Sequence, residues 1–189
     1  FARQPFEITL AVDSDPQTLK ERHYLIDAHN HTGYAQVLEE QNAGNTDRTT
    51  YTIGDDVIAH ASSLGPDPSP LFLLYDGHGT TRQATSASAT VAQNYNYDAY
   101  GNVINHDLGA MSTNQPATTH LYTGEQYDTD LQQTYLRARY YDSSSGRFNR
   151  LDPFTGIGND PQSLHKYAYC HGDPINCIDP SGELSLVEI

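Results

Sequence analysis

An all-β fold, a curved antiparallel sheet of repeated hairpins, follows from three features of the sequence. Short runs rich in Val, Ile, Thr and Tyr show partial alternation of apolar and polar residues. Residues that tolerate positive φ separate these runs, and a Tyr-Asp unit recurs along the chain. The runs are Phe6 to Val12, His23 to Asp27, Tyr34 to Glu39, Arg48 to Ile53, Leu71 to Tyr75, Val91 to Tyr97 and Thr134 to Tyr141. Asn42-Ala43-Gly44-Asn45, Asp76-Gly77 and Tyr100-Gly101-Asn102 carry the side chains that close hairpins between neighbouring runs. Tyr75-Asp76-Gly77-His78-Gly79 returns 22 residues later as Tyr97-Asp98-Ala99-Tyr100-Gly101, with echoes at Tyr127-Asp128 and Tyr141-Asp142. A period that short, in units too small to bury a face alone, predicts stacked elements.

Two stretches interrupt the rhythm. Leu64 to Pro70 is stiffened by proline and Met111 to Thr119 is polar, so both are expected as surface loops. One short helix is expected near 161–169, with Asp160 as its cap and Pro161 in its first position.

Composition restricts what such a sheet can do. The 189 residues carry 24 acidic and 10 basic side chains, and a net charge of -14 repels phosphate backbones, which argues against nucleic-acid partners. Tyr supplies 14 of the aromatic residues against five Phe and no Trp, so burial must come largely from rings whose hydroxyl needs a partner. With a mean hydropathy of -0.64 the core is expected to be thin, and no apolar run reaches the roughly 20 residues of a membrane helix. The chain begins Phe-Ala-Arg-Gln, which reads as a cut from something longer. Cys170 and Cys177 flank a six-residue loop and are either a disulfide or two small buried residues.

Metal and nucleotide chemistry find little support, and no cofactor is expected. If a strand continued through Asp27-Ala28-His29-Asn30-His31, Asp27, His29 and His31 would share one face, but a polar strand end explains the same pattern. His165 and His171 near the cysteines lack a Cys-x-x-Cys element. Asp13-Ser14-Asp15, Asp55-Asp56 and Asp128-Thr129-Asp130 fall short of a calcium loop, and neither a phosphate-binding Gly-Lys-Ser/Thr loop nor a Gly-x-Ser-x-Gly elbow is present.

Between Leu121 and Gly182 the order of motifs becomes specific. Tyr122-Thr123-Gly124-Glu125-Gln126-Tyr127-Asp128, Tyr135-Leu136-Arg137-Ala138-Arg139-Tyr140-Tyr141-Asp142, Gly146-Arg147-Phe148 and Asp152-Pro153 are followed by Leu164-His165-Lys166-Tyr167-Ala168-Tyr169. Asp173-Pro174-Ile175-Asn176 and Ile178-Asp179-Pro180-Ser181-Gly182 then close the series. This order resembles the RHS repeat-associated core domain of the YD/RHS-repeat family, and Tyr34 to Glu40 extends the likeness more loosely. The resemblance implies a sheet that spirals into a hollow shell, in bacterial proteins that are secreted or cell-surface and enclose a toxin cargo. It divides the chain into an N-terminal hairpin segment at 1–70, YD repeats at 71–120, the core at 121–184 and a stub at 185–189. The implied partners are a toxin or cargo polypeptide or the rest of the parent shell.

Family members that cut themselves use two Asp-Pro-x-Gly motifs as an aspartyl-protease-like pair. Here the second is Asp179-Pro180-Ser181-Gly182, while the first, Asp152-Pro153-Phe154-Thr155-Gly156, is one residue longer, and the aspartates stand 27 apart. Two close carboxylates share a proton, so one serves as acid while the other activates water. The resemblance thus makes Asp152 and Asp179 the catalytic pair and Leu184–Ser185 the scissile bond, while Arg150, two residues before the first Asp, is the cation to orient a carboxylate or polarise the scissile carbonyl, with Arg147 in reserve. The plainer alternative is a turn, because Asp accepts backbone N–H groups, Pro fixes φ and Gly permits reversal, and six Asp-Pro pairs occur in this chain. A different alternative is an ester or glycoside hydrolase working through Asp55/Asp56, Glu39/Glu40 or Glu125/Asp128, among which spacing does not choose. Unpaired sheet edges predict self-association. Light scattering over a broad concentration range should show species larger than the monomer, and a strictly monomeric result would count against open edges.

Overall fold

The computed structural model describes residues 5–8, 22–42, 44, 46–63, 70–107, 116–183 and 186–187, with backbone alone at 5–8, 105–107 and 186–187. The chain divides into two compact units, residues 1–74 with 84–91, and residues 75–83 with 92–189. The described residues are almost wholly β. Strand order is chain order, with β1 to β9 in one sheet, β10 to β13 in a second, and β14 with β15 in a third.

In the first unit, β1 (Pro5–Ile8), β2 (Arg22–Asp27), β3 (Gln36–Asn42), β4 (Arg48–Ile53), β5 (Val57–Ser62) and β6 (Leu71–Tyr75, its last residue in the second unit) pair antiparallel with their neighbours. Alternation sets the faces: Val57 and Ala59 are buried while Ile58 between them is exposed, and Leu73 is buried between exposed Phe72 and Leu74. Polar residues share the interior. Glu40 is buried and accepts the Tyr51 hydroxyl at 2.8 Å. The expected face of Asp27, His29 and His31 does not form, because β2 ends at Asp27. The Asp27 carboxylate there accepts the His29 N–H at 3.0 Å and starts a turn, while His31 faces Asp55 at 3.3 Å.

β7 (Thr81–Ser86) straddles the division, and the second unit continues with β8 (Val91–Tyr97, its first residue in the first unit) and β9 (Val103–Asp107). Next come β10 (Gln126–Asp128), β11 (Gln133–Leu136), β12 (Arg139–Asp142), β13 (Arg147–Phe148), β14 (Cys177–Ile178) and β15 (Leu186–Val187). The Tyr-Asp repeats are turns of one kind. Asp76 accepts the N–H groups of His78 and Thr80, Asp98 those of Tyr100 and Asn102, Asp128 those of Asp130 and Leu131, and Asp142 that of Ser144. Each aspartate thereby closes the hairpin that its tyrosine's strand enters. Burial alone would raise the Asp76 carboxyl, but bonds from Arg82, Thr80 and His78 outweigh it and hold the group below the usual carboxylate range.

Two expected elements differ. Thr134 to Tyr141 is not one strand but the hairpin β11–β12, reversed at Arg137 with φ +57°. The expected helix at 161–169 is a single 3-10 turn at Gln162–Leu164. Beyond it the backbone is claimed by pairing, since Phe148 donates to the Tyr167 carbonyl at 2.9 Å, Arg147 bridges to Ala168, and Asp152 donates to Lys166 at 2.9 Å. Once those carbonyls and amides serve a strand-like partner they cannot serve a helix. Of the two expected loops, 64–69 and 111–115 lie outside the described residues.

The second unit's core is aromatic. Tyr122, Tyr141, Phe148 and Tyr169 pack with Leu136, Cys170 and Cys177, and the rings of Tyr141 and Tyr169 lie 4.3 Å apart. Tyr141 donates to the Tyr100 carbonyl at 2.7 Å and Tyr122 to that of Ala99 at 2.8 Å, so the hydroxyls are satisfied at the hairpin turn. Gly101 makes that approach feasible: its φ is +88°, and a Cβ there would lie 2.5 Å from the Tyr122 ring. Gly101→Ala should therefore lower stability by about 2 kcal/mol or more through combined strain and overpacking. Urea denaturation checks this, and a variant of unchanged midpoint would deny the ring its fixed seat.

Candidate active site

The two Asp-Pro motifs meet at one buried cation, Arg139 of β12. Its residue parity is that of Tyr141, two positions on, so its side chain enters the same interior and is only 2% exposed. The guanidinium lies 3.5 Å over the Phe148 ring, donates through Nε to the Gly182 carbonyl and through Nη1 to the Lys166 carbonyl at 3.2 Å. Its Nη2 stands 2.8 Å from Asp152 Oδ2 and 3.8 Å from Asp179 Oδ2. Burial draws the guanidinium below its usual pKa and the two carboxylates work against that shift.

Both aspartates divide their oxygens in the same way. Asp152 Oδ1 accepts the Phe154 N–H at 2.8 Å, and Asp179 Oδ1 accepts the Gly182 N–H at 2.8 Å and the Ser181 hydroxyl at 3.0 Å. In each, Oδ1 makes the turn expected of an Asp-Pro motif and Oδ2 faces Arg139. Burial pushes the Asp179 carboxyl above the usual range, against the bonds from Ser181 and Gly182 and the charge of Arg139, with Asp152 adding to the rise. A cavity of about 20 Å³ touches Arg139, Asp152, Asp179 and Glu183, enough for about one water molecule.

Gly182 completes the geometry. Its φ is +70°, and a Cβ would collide with the Leu136 carbonyl oxygen. Ala138 donates to Ser181 at 3.1 Å, so the turn after Asp179 lies against the β11–β12 hairpin. Arg150, the sequence candidate for the cation, is exposed and donates instead to the Ala138 carbonyl. It follows β13 on the outer side, where Asn149 pairs with Tyr140. Arg147 is also exposed. The signal for Arg139 was its place in the alternation of a Tyr-rich strand, where an arginine at an inward position requires acceptors inside. Leu184 and Ser185 lie outside the described residues, and just beyond them β15 pairs with β14, Val187 opposite Cys177 and Leu186 opposite Ile178.

Other candidates are occupied differently. Glu125 is paired with Arg137 at 2.8 Å, and His165 Nδ1 accepts the Ala168 N–H at 3.0 Å. Burial and the neighbouring Asp55 raise the Asp56 carboxyl. Among the described residues no group of three or more His, Cys, Asp or Glu is arranged to hold a metal ion.

No protein-family model matches the chain. The tRNA3(Ser)-specific nuclease WapA of Bacillus spizizenii is 32% identical over 146 residues, which are 77% of this chain and 6% of that protein. Among solved structures, TcdB2-TccC3 without its hypervariable C-terminal region matches 90% of this chain and 8% of its own, with a TM-score of 0.65 at 16% identity. A Photorhabdus luminescens Tc holotoxin pore matches 97% of this chain and 10% of its own, with a TM-score of 0.60 at 15% identity. The chain thus spans a small fraction of the proteins it resembles. It shares its fold with Tc toxin chains and part of its sequence with WapA nucleases.

Removing the cation would leave two carboxylates facing each other in the interior. Arg139→Leu should cost ~3–5 kcal/mol at neutral pH. Because the fold raises the Asp179 pKa, that group's contribution to stability is fully present below the ordinary carboxylate value and is lost as pH rises through the raised one. The deficit of the variant should accordingly shrink in acid. Urea titrations at acidic and neutral pH measure both, and a deficit independent of pH would mean that the carboxylates do not sense the guanidinium.

Proposed function

We propose that this chain is a C-terminal piece of a YD/RHS-repeat protein of the secreted, toxin-associated kind. On this reading its sheet is a section of a cargo-enclosing shell, and its second unit is the RHS repeat-associated core carrying an intramolecular aspartyl endopeptidase. The shared fold with Tc toxin chains and the sequence likeness to WapA support the first part. The single observation that carries the second is the convergence of Asp152 Oδ2, Asp179 Oδ2 and the Gly182 carbonyl on the Arg139 guanidinium. Nuclease activity belongs to the relative's name; a matched segment within a chain of net charge -14 is a poor surface for a polyanion, and we assign it to the enclosing part.

The chemistry follows from the two environments. Asp152, ion-paired with Arg139, is the carboxylate that takes a proton from a water in the small cavity. Asp179, whose acid form burial favours, donates to the carbonyl oxygen of the scissile peptide as the water attacks. The tetrahedral intermediate then collapses with its hydroxyl proton returning to Asp179, the C–N bond breaks, and Asp152 passes the proton taken from water to the leaving amine. Arg139 fixes both carboxyl groups and, through the Gly182 carbonyl, the start of the segment that leads to Leu184–Ser185. On this reading Arg139, rather than Arg150, is the cation that serves the pair.

Mass spectrometry of the purified chain tests the reading. A species ending at Leu184 should accumulate, should be absent in Asp152→Asn and Asp179→Asn, should form more slowly in Arg139→Lys, and should be unaffected by Arg150→Ala. Its rate should fall as pH rises through the raised pKa of Asp179, because the acid is then lost. A wild-type chain still ending at Ile189 after days would leave the carboxylates as turn formers alone.

A further inference from the structure

Cys170 and Cys177 belong to the core of the second unit, at 1% and 4% exposure, and the self-cleavage chemistry uses neither. Neither is in a disulfide, and the two thiols lie near enough in that cluster to interact. Three successive residues bring Cys170 to that position in the left-handed region, Cys170 at φ +48°, His171 at +52° and Gly172 at +85°. Two are not glycine, a conformation that persists only where its surroundings hold it. Here Gly172 donates to Tyr169 at 2.9 Å and Asp173 to Cys170 at 2.8 Å, and the Asn176 amide closes the loop onto the Asp173 carboxylate at 3.1 Å. Cys177 opens β14, two residues before Asp179.

We propose that Cys170 and Cys177 are a redox-convertible pair whose oxidised form is an intramolecular disulfide closing the 170–177 loop. The turn at 170–172 places Cys170 in the same buried cluster as Cys177, and only six residues separate them in the chain. The co-reactant is a low-molecular-weight disulfide such as oxidised glutathione. One cysteine, as thiolate, attacks a sulfur of that disulfide, breaking its S–S bond and expelling one glutathione thiolate. The second cysteine thiolate attacks the mixed disulfide, forms the Cys170–Cys177 bond and expels the other. Two protein sulfurs are oxidised, two glutathione sulfurs are reduced, and the two protons pass to the released thiolates. The interaction with Cys177 and burial push the Cys170 thiol up, so exchange proceeds during folding or when the loop opens.

The test refolds the full chain in reduced and in oxidised glutathione and maps the thiols by non-reducing peptide mass spectrometry. The expected product in oxidised glutathione has lost two hydrogens, contains one peptide pair joined through Cys170 and Cys177, and melts at a higher temperature than the reduced chain. Cys170→Ala and Cys177→Ala should each abolish the link and the redox dependence of melting while keeping the reduced chain's circular dichroism. Both cysteines alkylated quantitatively in folded protein equilibrated with oxidised glutathione would overturn the proposal. So would disulfides only between chains, or glutathione adducts that never resolve.

Discussion

A buried guanidinium organises the second unit. Arg139 is a permanent charge removed from water, and each of its donors must find an acceptor within reach. The acceptors come from distant parts of the sequence: the carbonyls of Lys166 and Gly182, and the carboxylates of Asp152 and Asp179. Phe148 covers one face of the group. That one requirement brings β12, β13, the extended segment at 166–168 and the turn after Asp179 into a single arrangement. It also explains why the interior tolerates acids: they are there to answer a cation that cannot be deprotonated.

Around this centre, polar groups do work that aliphatic side chains do in most cores. The Tyr-Asp units supply both halves of the solution. The aspartate saturates the exposed amides of a hairpin turn, and the neighbouring tyrosines turn their rings inward, with hydroxyls spent on backbone carbonyls such as those of Ala99 and Tyr100. A chain of low mean hydropathy closes a core in this way by giving buried hydroxyls such as those of Tyr122 and Tyr141 a backbone acceptor. The cost is exactness of fit, visible at Gly101 and Gly182, where the backbone passes too close to a ring or a carbonyl for any Cβ.

The sheet was legible because its signals are local. Alternation marked β4, β6 and β8 at the bounds they have, and Asp-Gly and Gly-Asn marked the turns between hairpins. The failures share one cause. The 134–141 run reads as a strand until Arg137 reverses it, and the 161–169 segment carries a fair helix start, but in both places pairing with a remote segment overrides the local preference. The site divides along the same line. Asp152 and Asp179 were found through motif resemblance. The sequence neighbour Arg150 is near the first of them along the chain, whereas Arg139 is near both in space.

In both Asp-Pro motifs the turn and the contact with Arg139 use different oxygens of one carboxylate. Because Oδ1 is bound to the turn's own amides, each carboxylate loses its freedom to rotate, and Oδ2 is presented to Arg139 at a fixed angle without further entropy loss. The turn thus holds each carboxylate in place for the proposed acid–base chemistry, and a reading from turn chemistry alone accounts for only one oxygen of each side chain. The asymmetry between the two acids then comes from depth. Asp179, nearly inaccessible and farther from the guanidinium, gains less from the charge than it loses by desolvation, while Asp152, closer to Arg139 and more open to water, forms the tighter ion pair. The proposed division into acid and base rests on that difference in environment, with no difference in side chain.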